Sequence, residues 1–106
     1  MFEYTMTIGL NDKDSKRQEV TTCDAKNMIS ETLLHKFDIF AFTMIDCAGV
    51  YTHDDGAIVS ENSIRVEIAS DDCIDDTIGL IIKALKKVLN QECIMLKKSI
   101  SDISFE

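Results

Sequence analysis

The sequence predicts an α+β sandwich, in which two helices cover one face of a four-stranded antiparallel sheet. Three observations predict this fold. The N-terminal residues alternate between apolar and polar side chains, a long hairpin pattern occupies the middle of the chain, and a helical pattern flanks the hairpin on each side. The order β-α-β-β-α-β is that of a ferredoxin-like sandwich. We expect residues 1–106 to form one domain, because a chain of this length supports a single core.

The first strand is predicted from strict alternation of side-chain type. Its apolar residues are Phe2, Tyr4, Met6, Ile8 and Leu10. The residues between them are polar or small, so one face of the strand is expected to contact water. The polar segment 11–20 is expected to be a mobile, solvated connection, although long loops on such a scaffold often cover a binding site.

A first amphipathic helix is expected to extend to about Lys36. Thr21 and Thr22 offer hydroxyl groups for its N-cap, and Asp24 lies where the helix dipole favours a carboxylate. Asp38 then breaks the helical pattern. The apolar residues at helical spacing are Ala25, Met28, Ile29, Leu33 and Phe37.

The central hairpin is predicted from two strand patterns joined by a turn. The pattern over 39–50 is apolar on both faces at its start, which predicts a central strand. Asp54-Asp55-Gly56 suits a turn that needs a positive φ. Ile64, Val66 and Ile68 form the inner face of the next strand.

A second helix and a last strand complete the predicted order. Ser70, Asp71 or Asp72 is expected to cap the helix, since acidic residues follow in its first turn and lysines near its end. Cys93–Leu96 is expected to form a short strand, and 97–106 a tail. The apolar stripe of the helix is Ile74, Ile78, Ile81, Ile82, Leu85 and Leu89.

The sheet face without helices is expected to be half apolar. Thr5, Thr7, Arg65 and Glu67 should alternate there with bulky groups from the second strand. A half-apolar open face is typical of self-association or of a ligand groove. We therefore expect a homo-oligomer, either a dimer or a closed ring.

The charge balance limits the classes of partner. The chain has 11 basic and 19 acidic residues and a net charge of −8. This excess opposes phosphate backbones, so direct nucleic-acid binding is disfavoured, whereas a protein with a basic surface is a suitable partner. No apolar run is long enough for a membrane helix and no signal peptide is visible, so a cytoplasmic location is expected.

The cysteines suggest neither a disulfide framework nor a metal site. The four of them are widely spaced, without a CxxC pair or a nearby histidine, and fall on or beside apolar stripes. We expect buried or half-buried core thiols, no metal and no cofactor. The four residues are Cys23, Cys47, Cys73 and Cys93.

Five short runs of the sequence carry a family resemblance, namely Ile8-Gly9-Leu10, the run from Phe42 to Gly49, the run from Asp55 to Ser63, Gln91–Ile94 and Ile103-Ser104-Phe105. Through these residues the chain resembles a group of small bacterial ferredoxin-like domains of unknown function. Tyr51 stands where that group tends to have a tryptophan, and the chain has none of the group's usual prolines. The resemblance implies the fold and no activity.

Two polar sets are candidate sites. The first, which could bind a small polar ligand or provide acid–base chemistry, is Asp46, Tyr51, His53, Glu61 and Arg65 around the hairpin. No catalytic residue is assigned, since these carboxylates could equally satisfy the backbone. The second would form a phosphate-like negative surface if its members met in space: Asp54, Asp55, Asp71, Asp72, Asp75 and Asp76.

Three functions agree with the sequence. The first is a non-enzymatic, oligomeric binding module that recognises a protein or small molecule through the open sheet face and the hairpin tip. The second is an acidic, virus-encoded counter-defence inhibitor, such as an anti-CRISPR protein or a nucleic-acid mimic. The third is a small enzyme with an active site at a subunit interface. Phosphate-binding loops and hydrolase motifs do not occur, which argues against an NTPase.

Overall fold

The computed structural model describes residues 1–106 and has the predicted order of elements. The strands are β1 (Phe2–Gly9), β2 (Thr43–Thr52), β3 (Ile58–Ser70) and β4 (Met95–Ile100). The helices are α1 (Thr22–Glu31), continued by a π-helical turn over Thr32–Lys36, and α2 (Asp75–Val88). The strands form one antiparallel sheet in the order β2-β3-β1-β4. The predicted ferredoxin-like fold is confirmed.

Both helices cover the same face of the sheet. Even-numbered residues of β1 and β3 point to one face of the sheet and are buried in one cluster with residues of α1 and α2. Both helices must therefore lie on that face. The open face is therefore the opposite one. The buried residues include Tyr4, Met6, Ile8, Ile64, Val66 and Ile68 from the sheet, and Ala25, Ile29, Leu33, Ile78, Ile81 and Leu85 from the helices.

The prediction for the second strand is wrong in its start and in its position. β2 begins at Thr43, and it is an edge strand because it pairs with β3 alone. Ile39 and Phe42 pack against the core from the connection before the strand, whereas Phe40 is exposed. The apolar run thus belonged to a connection that covers the core, not to a strand buried on both faces.

The two helices differ in how they begin. The Thr21 hydroxyl accepts a hydrogen bond from the Asp24 N–H at 3.1 Å, which confirms the first predicted cap. The caps predicted for α2 are wrong, since its N-cap position is Ile74 and has no side-chain cap. The hydroxyl of Tyr4, from the buried face of β1, accepts the Ile74 N–H at 3.0 Å instead. No helix is both long and apolar enough to cross a membrane.

Tyr4 also joins the start of α2 to β4 through an ion pair. Its hydroxyl donates to Asp75 Oδ1 at 2.8 Å, and the Lys98 ammonium lies 2.9 Å from the same carboxylate. Hydrogen bonds from Lys98 and Tyr4 lower the pKa of Asp75, and Asp75 in turn raises the pKa of Lys98. Burial, followed by the bond to Asp75, raises the pKa of the Tyr4 phenol.

The β2–β3 hairpin extends beyond the rest of the sheet. β1 ends where Gly9 pairs with Ser63, and the Leu10 N–H still donates to the Asn62 carbonyl, so 49–52 and 58–61 are the part of the ladder that pairs only with itself. Gly56 has a φ of 87°, which confirms the predicted turn, and the Asp55 carboxylate accepts the Ala57 N–H at 2.9 Å. The molecule consequently measures 45 × 27 × 25 Å.

The last strand lies later in the chain than predicted. β4 occupies Met95–Ile100 instead of Cys93–Leu96, so part of the predicted tail is strand. Its bounds follow from pairing with β1, in which Phe2 lies opposite Ile100 and Thr7 opposite Met95.

Candidate functional site

The open sheet face carries a cavity of about 550 Å³ at the base of the hairpin. Strand pairing places Gly49 opposite Glu61 and Tyr51 opposite Val59. Because paired residues of antiparallel strands point to the same side, these residues share one face. Small-molecule sites commonly enclose about 300–1,000 Å³. The cavity is therefore large enough for a ligand of that kind.

The Glu61 carboxylate lies at the floor of this cavity, over the backbone of Gly9. A Cβ added at Gly9 would come within 2.5 Å of Glu61 Oε1. The other carboxylate oxygen accepts a hydrogen bond from the Asn11 N–H at 2.9 Å. One oxygen is thus fixed by the backbone, and Oε1 has no hydrogen bond within the chain and can accept one from a ligand.

An aromatic pair stands beside this carboxylate. The rings of Tyr51 and His53 meet edge to face, with centroids 5.2 Å apart and planes at 80°. Tyr51 is two residues beyond Gly49 on β2, so it is a diagonal neighbour of Glu61 on the same face. Both rings line the cavity and both are exposed, so they can pack against a bound molecule.

The segment after β1 forms another wall of the cavity and is held in place by hydrogen bonds. It closes on itself, since the Asp12 N–H donates to the Arg17 carbonyl at 2.8 Å and the Lys16 N–H to the Asp12 carbonyl at 2.9 Å. The Asn90 side-chain amide donates to Asp12 Oδ1 at 2.7 Å and to Asp14 Oδ2 at 2.9 Å. The segment predicted to be a mobile connection is thus tied to the end of α2.

The same contacts change the acidity of Asp12. The hydrogen bond from Asn90, and those from the Ser15 and Asp14 N–H groups, lower the pKa of Asp12. Nearby, the buried Gln91 side chain donates to the Asn11 carbonyl at 2.9 Å. Asp12 is therefore an ionised structural group whose oxygens are already engaged, although it lines the cavity.

Thr7 adds one unpaired polar group to the cavity wall. Its Oγ1 is buried and has no hydrogen-bond partner. Buried hydroxyl groups usually have a partner, because an unpaired one loses its bonds to water without compensation. Thr7 lines the cavity, so a bound molecule could supply that partner.

The first predicted polar set is brought together only in part. Tyr51, His53 and Glu61 line the cavity. Asp46 lies on the helix face, where it pairs with Lys26 of α1 at 3.1 Å. Arg65 is on the open face between Thr7 and Ile45, but outside the cavity lining.

The second predicted set, the acidic residues, does not form one surface. Asp54 and Asp55 lie in the hairpin turn, whereas Asp71, Asp72, Asp75 and Asp76 follow the other end of β3. β3 has 13 residues. At about 3.3 Å per residue the two groups are roughly 40 Å apart. The structure therefore gives no extended negative surface that combines them.

The prediction of buried or half-buried thiols is wrong for three of the four cysteines and is confirmed for Cys47. All four cysteines are free; Cys23, Cys73 and Cys93 are exposed and Cys47 is half-buried. Cys73 and Cys93 lie in the connections next to α2, and Cys23 lies in the first turn of α1, so nearness to an apolar stripe did not indicate burial. No group of three or more His, Cys, Asp and Glu side chains is placed to hold a metal ion.

The predicted site residues did not include Gly9, Asn11 and Gln91, which line the cavity, or Asn90, which holds its wall. Gly9 did carry a signal, since a glycine inside a strand often marks a close approach of a side chain or ligand to the backbone. The bonds of Asn90 and Gln91 join positions about 80 residues apart in sequence, and no local pattern reveals such contacts.

No protein-family model matches the sequence, and no curated protein does. Solved structures do match. A phage SAM lyase in complex with S-methyl-5′-thioadenosine is 24% identical, with a TM-score of 0.68, over 92% of this chain and 79% of that one. CutA1 from Pyrococcus horikoshii OT3, in a mutant form, is 12% identical with a TM-score of 0.62, and the match covers 100% of this chain and 88% of that one.

A third similar structure is the GlnK–ATP complex of B. subtilis. It is 12% identical to this chain with a TM-score of 0.51, and the match covers 92% of this chain and 82% of that one. At these identities the three likenesses establish the ferredoxin-like fold alone. The predicted resemblance to a bacterial group is supported only to that extent.

Proposed function

We propose that the cavity binds an adenosyl compound and that the protein is a lyase that cleaves S-adenosylmethionine. The observation that carries this proposal is the half-buried Glu61 carboxylate, which lies over Gly9 in a cavity beside Tyr51. The similarity to a phage SAM lyase in complex with S-methyl-5′-thioadenosine, over 92% of this chain, supports it. The similarity to a GlnK–ATP complex also favours an adenine compound.

The cavity offers suitable partners for each part of an adenosyl ligand. A carboxylate is a common acceptor for ribose hydroxyl groups in nucleotide sites, and Glu61 Oε1 can act in this way. The Tyr51 ring can stack on the adenine. Val50, Val59 and Met95 provide an apolar lining for the methyl-bearing sulfur.

The reaction of such a lyase needs no water. When the bond between sulfur and the four-carbon fragment breaks, its electron pair goes to sulfur, and the sulfonium becomes the neutral thioether of S-methyl-5′-thioadenosine. The carbon that sulfur leaves regains an electron pair either from the carboxylate oxygen of the same fragment, which closes a lactone, or from the adjacent C–H bond, whose proton then passes to that carboxylate. The role of the protein is to hold the ligand and to exclude water. The sulfonium loses its positive charge in the reaction, and this loss is easier where water does not solvate that charge.

A second copy of the chain is expected to cover the hairpin. The hairpin extends past the sheet and carries Val50 and Ile58, which are 69% and 74% exposed. The backbone edge of β2 is also unpaired. Burying these side chains and that edge against another protomer would remove them from water, which fits the predicted homo-oligomer.

The decisive experiment incubates the purified protein with S-adenosylmethionine and measures S-methyl-5′-thioadenosine by liquid chromatography and mass spectrometry. The wild type is expected to form it. Glu61→Gln should lower the rate about 100-fold, since such a positioned charged group commonly contributes that much. Glu67→Gln is a matched control, because Glu67 lies on the same strand and face but outside the cavity. A wild type that forms no product, or an equal loss in both variants, would contradict the proposal.

A binding module without catalysis is the second candidate function. The favouring observation is the exposed apolar hairpin next to the cavity, which suits recognition of a protein or small molecule through the open face. Binding of S-methyl-5′-thioadenosine without turnover of S-adenosylmethionine would favour this candidate. The inhibitor that mimics nucleic acid loses its basis, because the acidic residues lie in two separate groups.

The proposed reaction belongs in the cytoplasm of the producing or host cell. Three exposed free thiols suit a reducing compartment. S-adenosylmethionine is also a metabolite of the cell interior, so its cleavage would take place there.

A further inference from the structure

We propose that Lys13 and Lys16 form a subsite for the carboxylate of the ligand, held in place by Asn90. This inference rests on the proposed function, because it assigns the amino-acid end of an adenosyl ligand to one end of the same cavity. It concerns specificity: the subsite would favour ligands that retain the amino acid over S-methyl-5′-thioadenosine, which lacks it.

The first observation is the charge of the cavity wall. Its charged and titratable lining groups are Asp12, Lys13, Lys16, His53, Glu61 and Glu92, together with Tyr51 and Cys93. Neither lysine takes part in any of the ion pairs of the protein. Two lysines on one short segment, neither of them in an ion pair, therefore line a cavity whose other charged residues are acidic.

The second observation is that the Asp12 carboxylate on the same segment is already held by other donors. Both oxygens of Asp12 accept hydrogen bonds, Oδ1 from the Asn90 amide and Oδ2 from the Asp14 and Ser15 N–H groups. A ligand carboxylate can thus pair with the lysines without displacing a partner inside the protein. Glu92, which is exposed and unpaired on the next segment, suits the α-ammonium group of the same ligand.

The third observation is how firmly the segment is held. Asn90 has a φ of 48°, which asparagine tolerates better than most residues, and its carbonyl accepts the Lys13 N–H at 3.0 Å. Its side chain bridges Asp12 and Asp14, on either side of Lys13. Lys16 is itself at a φ of 64° in the closed loop. Asn90 is thus a positioning residue that fixes both lysines relative to Glu61.

The test compares two ligands that differ only by the amino-acid part. S-adenosylhomocysteine carries it and S-methyl-5′-thioadenosine does not, and neither has a sulfonium to be cleaved. Dissociation constants are measured by isothermal titration calorimetry for the wild type and for the Lys13→Gln plus Lys16→Gln variant. We expect this variant to bind S-adenosylhomocysteine about tenfold more weakly. Its affinity for S-methyl-5′-thioadenosine should stay within about twofold, because that ligand does not reach the lysines.

Two further variants separate positioning from general effects. Lys83→Gln plus Lys87→Gln removes the same charge from exposed positions on α2 and should leave both affinities unchanged. Asn90→Gly keeps the backbone conformation but removes the amide, so the preference for S-adenosylhomocysteine should fall although the melting temperature changes little. A loss of stability alone would weaken both ligands equally.

The outcomes distinguish this inference from the proposed function. A wild type that forms S-methyl-5′-thioadenosine, combined with a lysine variant that loses no selectivity, would overturn the subsite and leave the lyase intact. A parallel loss for both ligands would also overturn it. A wild type that binds neither ligand would overturn the proposed function and the subsite with it.

Discussion

The Glu61 carboxylate occupies the space that a Cβ on Gly9 would need. The distance from that Cβ to Oε1 would be 2.5 Å, below the 3.0 Å that real contacts respect. The colliding atoms are the flexible end of a side chain, so an added methyl group would displace the carboxylate and leave the backbone of β1 in place. Gly9 is therefore a position at which the cavity can be changed without changing the fold.

We predict that Gly9→Ala lowers the rate of S-methyl-5′-thioadenosine formation at least tenfold, because the carboxylate would no longer lie over β1. The free energy of unfolding should change by less than about 1 kcal/mol. Product formation is measured by chromatography, and stability by urea denaturation followed by circular dichroism.

Gly79→Ala is the control for this variant. Gly79 lies on α2, outside the cavity lining, and a Cβ there would meet nothing within 4 Å. The control should keep most of the activity. Equal activity in both glycine variants would show that the position of the Glu61 carboxylate does not matter.

The hairpin is predicted to be an assembly surface. Introducing charge by Val50→Asp plus Ile58→Asp should convert the oligomer to a monomer, since it buries two carboxylates where apolar side chains are expected to meet. Native mass spectrometry of the purified protein reports the number of copies. Leu80→Asp, at a position on α2 that is 58% exposed, should leave that number unchanged. A monomeric wild type would contradict the prediction.

The fold could be predicted because its main determinants are local. Apolar residues alternate from Phe2 to Leu10 with the period of a strand, and those of α1 and α2 recur with the period of a helix. The core is built from these residues. The start of β2 could not be predicted, because Ile39 and Phe42 cover the core from a connection and look like strand residues in the sequence. Burial of a connection depends on the whole fold.

Only the part of the candidate site that lies on the hairpin could be predicted from the sequence. Tyr51, His53 and Glu61 are near one another in the hairpin, so their proximity was visible in the sequence. Asp46 lies five residues before Tyr51 on β2, so its side chain points to the opposite face of the sheet, and this difference follows from the alternation of side chains along one strand. The contribution of Asn90 depends on contacts between distant segments and had no local signal.

Tyr4 is predicted to stabilise the start of α2 through its hydroxyl group. Tyr4→Phe keeps the buried ring but leaves the Ile74 N–H without its acceptor at the N-cap of the helix. The melting temperature should fall by about 5 °C, as for the loss of one buried hydrogen bond in a small domain. Differential scanning calorimetry measures this, and Tyr51→Phe, at an exposed position, should cause a much smaller change.

The ion pair between Asp75 and Lys98 is predicted to make stability depend on pH. Because the pKa of Asp75 is lower in the folded state than in the unfolded chain, its contribution is complete above the unfolded value of about 4. That contribution is lost as the pH falls through the folded-state pKa. Wild type should therefore be more stable than Asp75→Asn at pH 7, and the difference should shrink towards pH 2.

Urea denaturation of both proteins across this pH range measures the effect. Asp76→Asn is the matched control, since Asp76 lies in the same first turn of α2 and forms no ion pair. It shares the interaction with the helix dipole but not the bond to Lys98, so its difference from wild type should be smaller at pH 7. Equal pH profiles for the two variants would assign the whole effect to the dipole and contradict a stabilising role for Lys98.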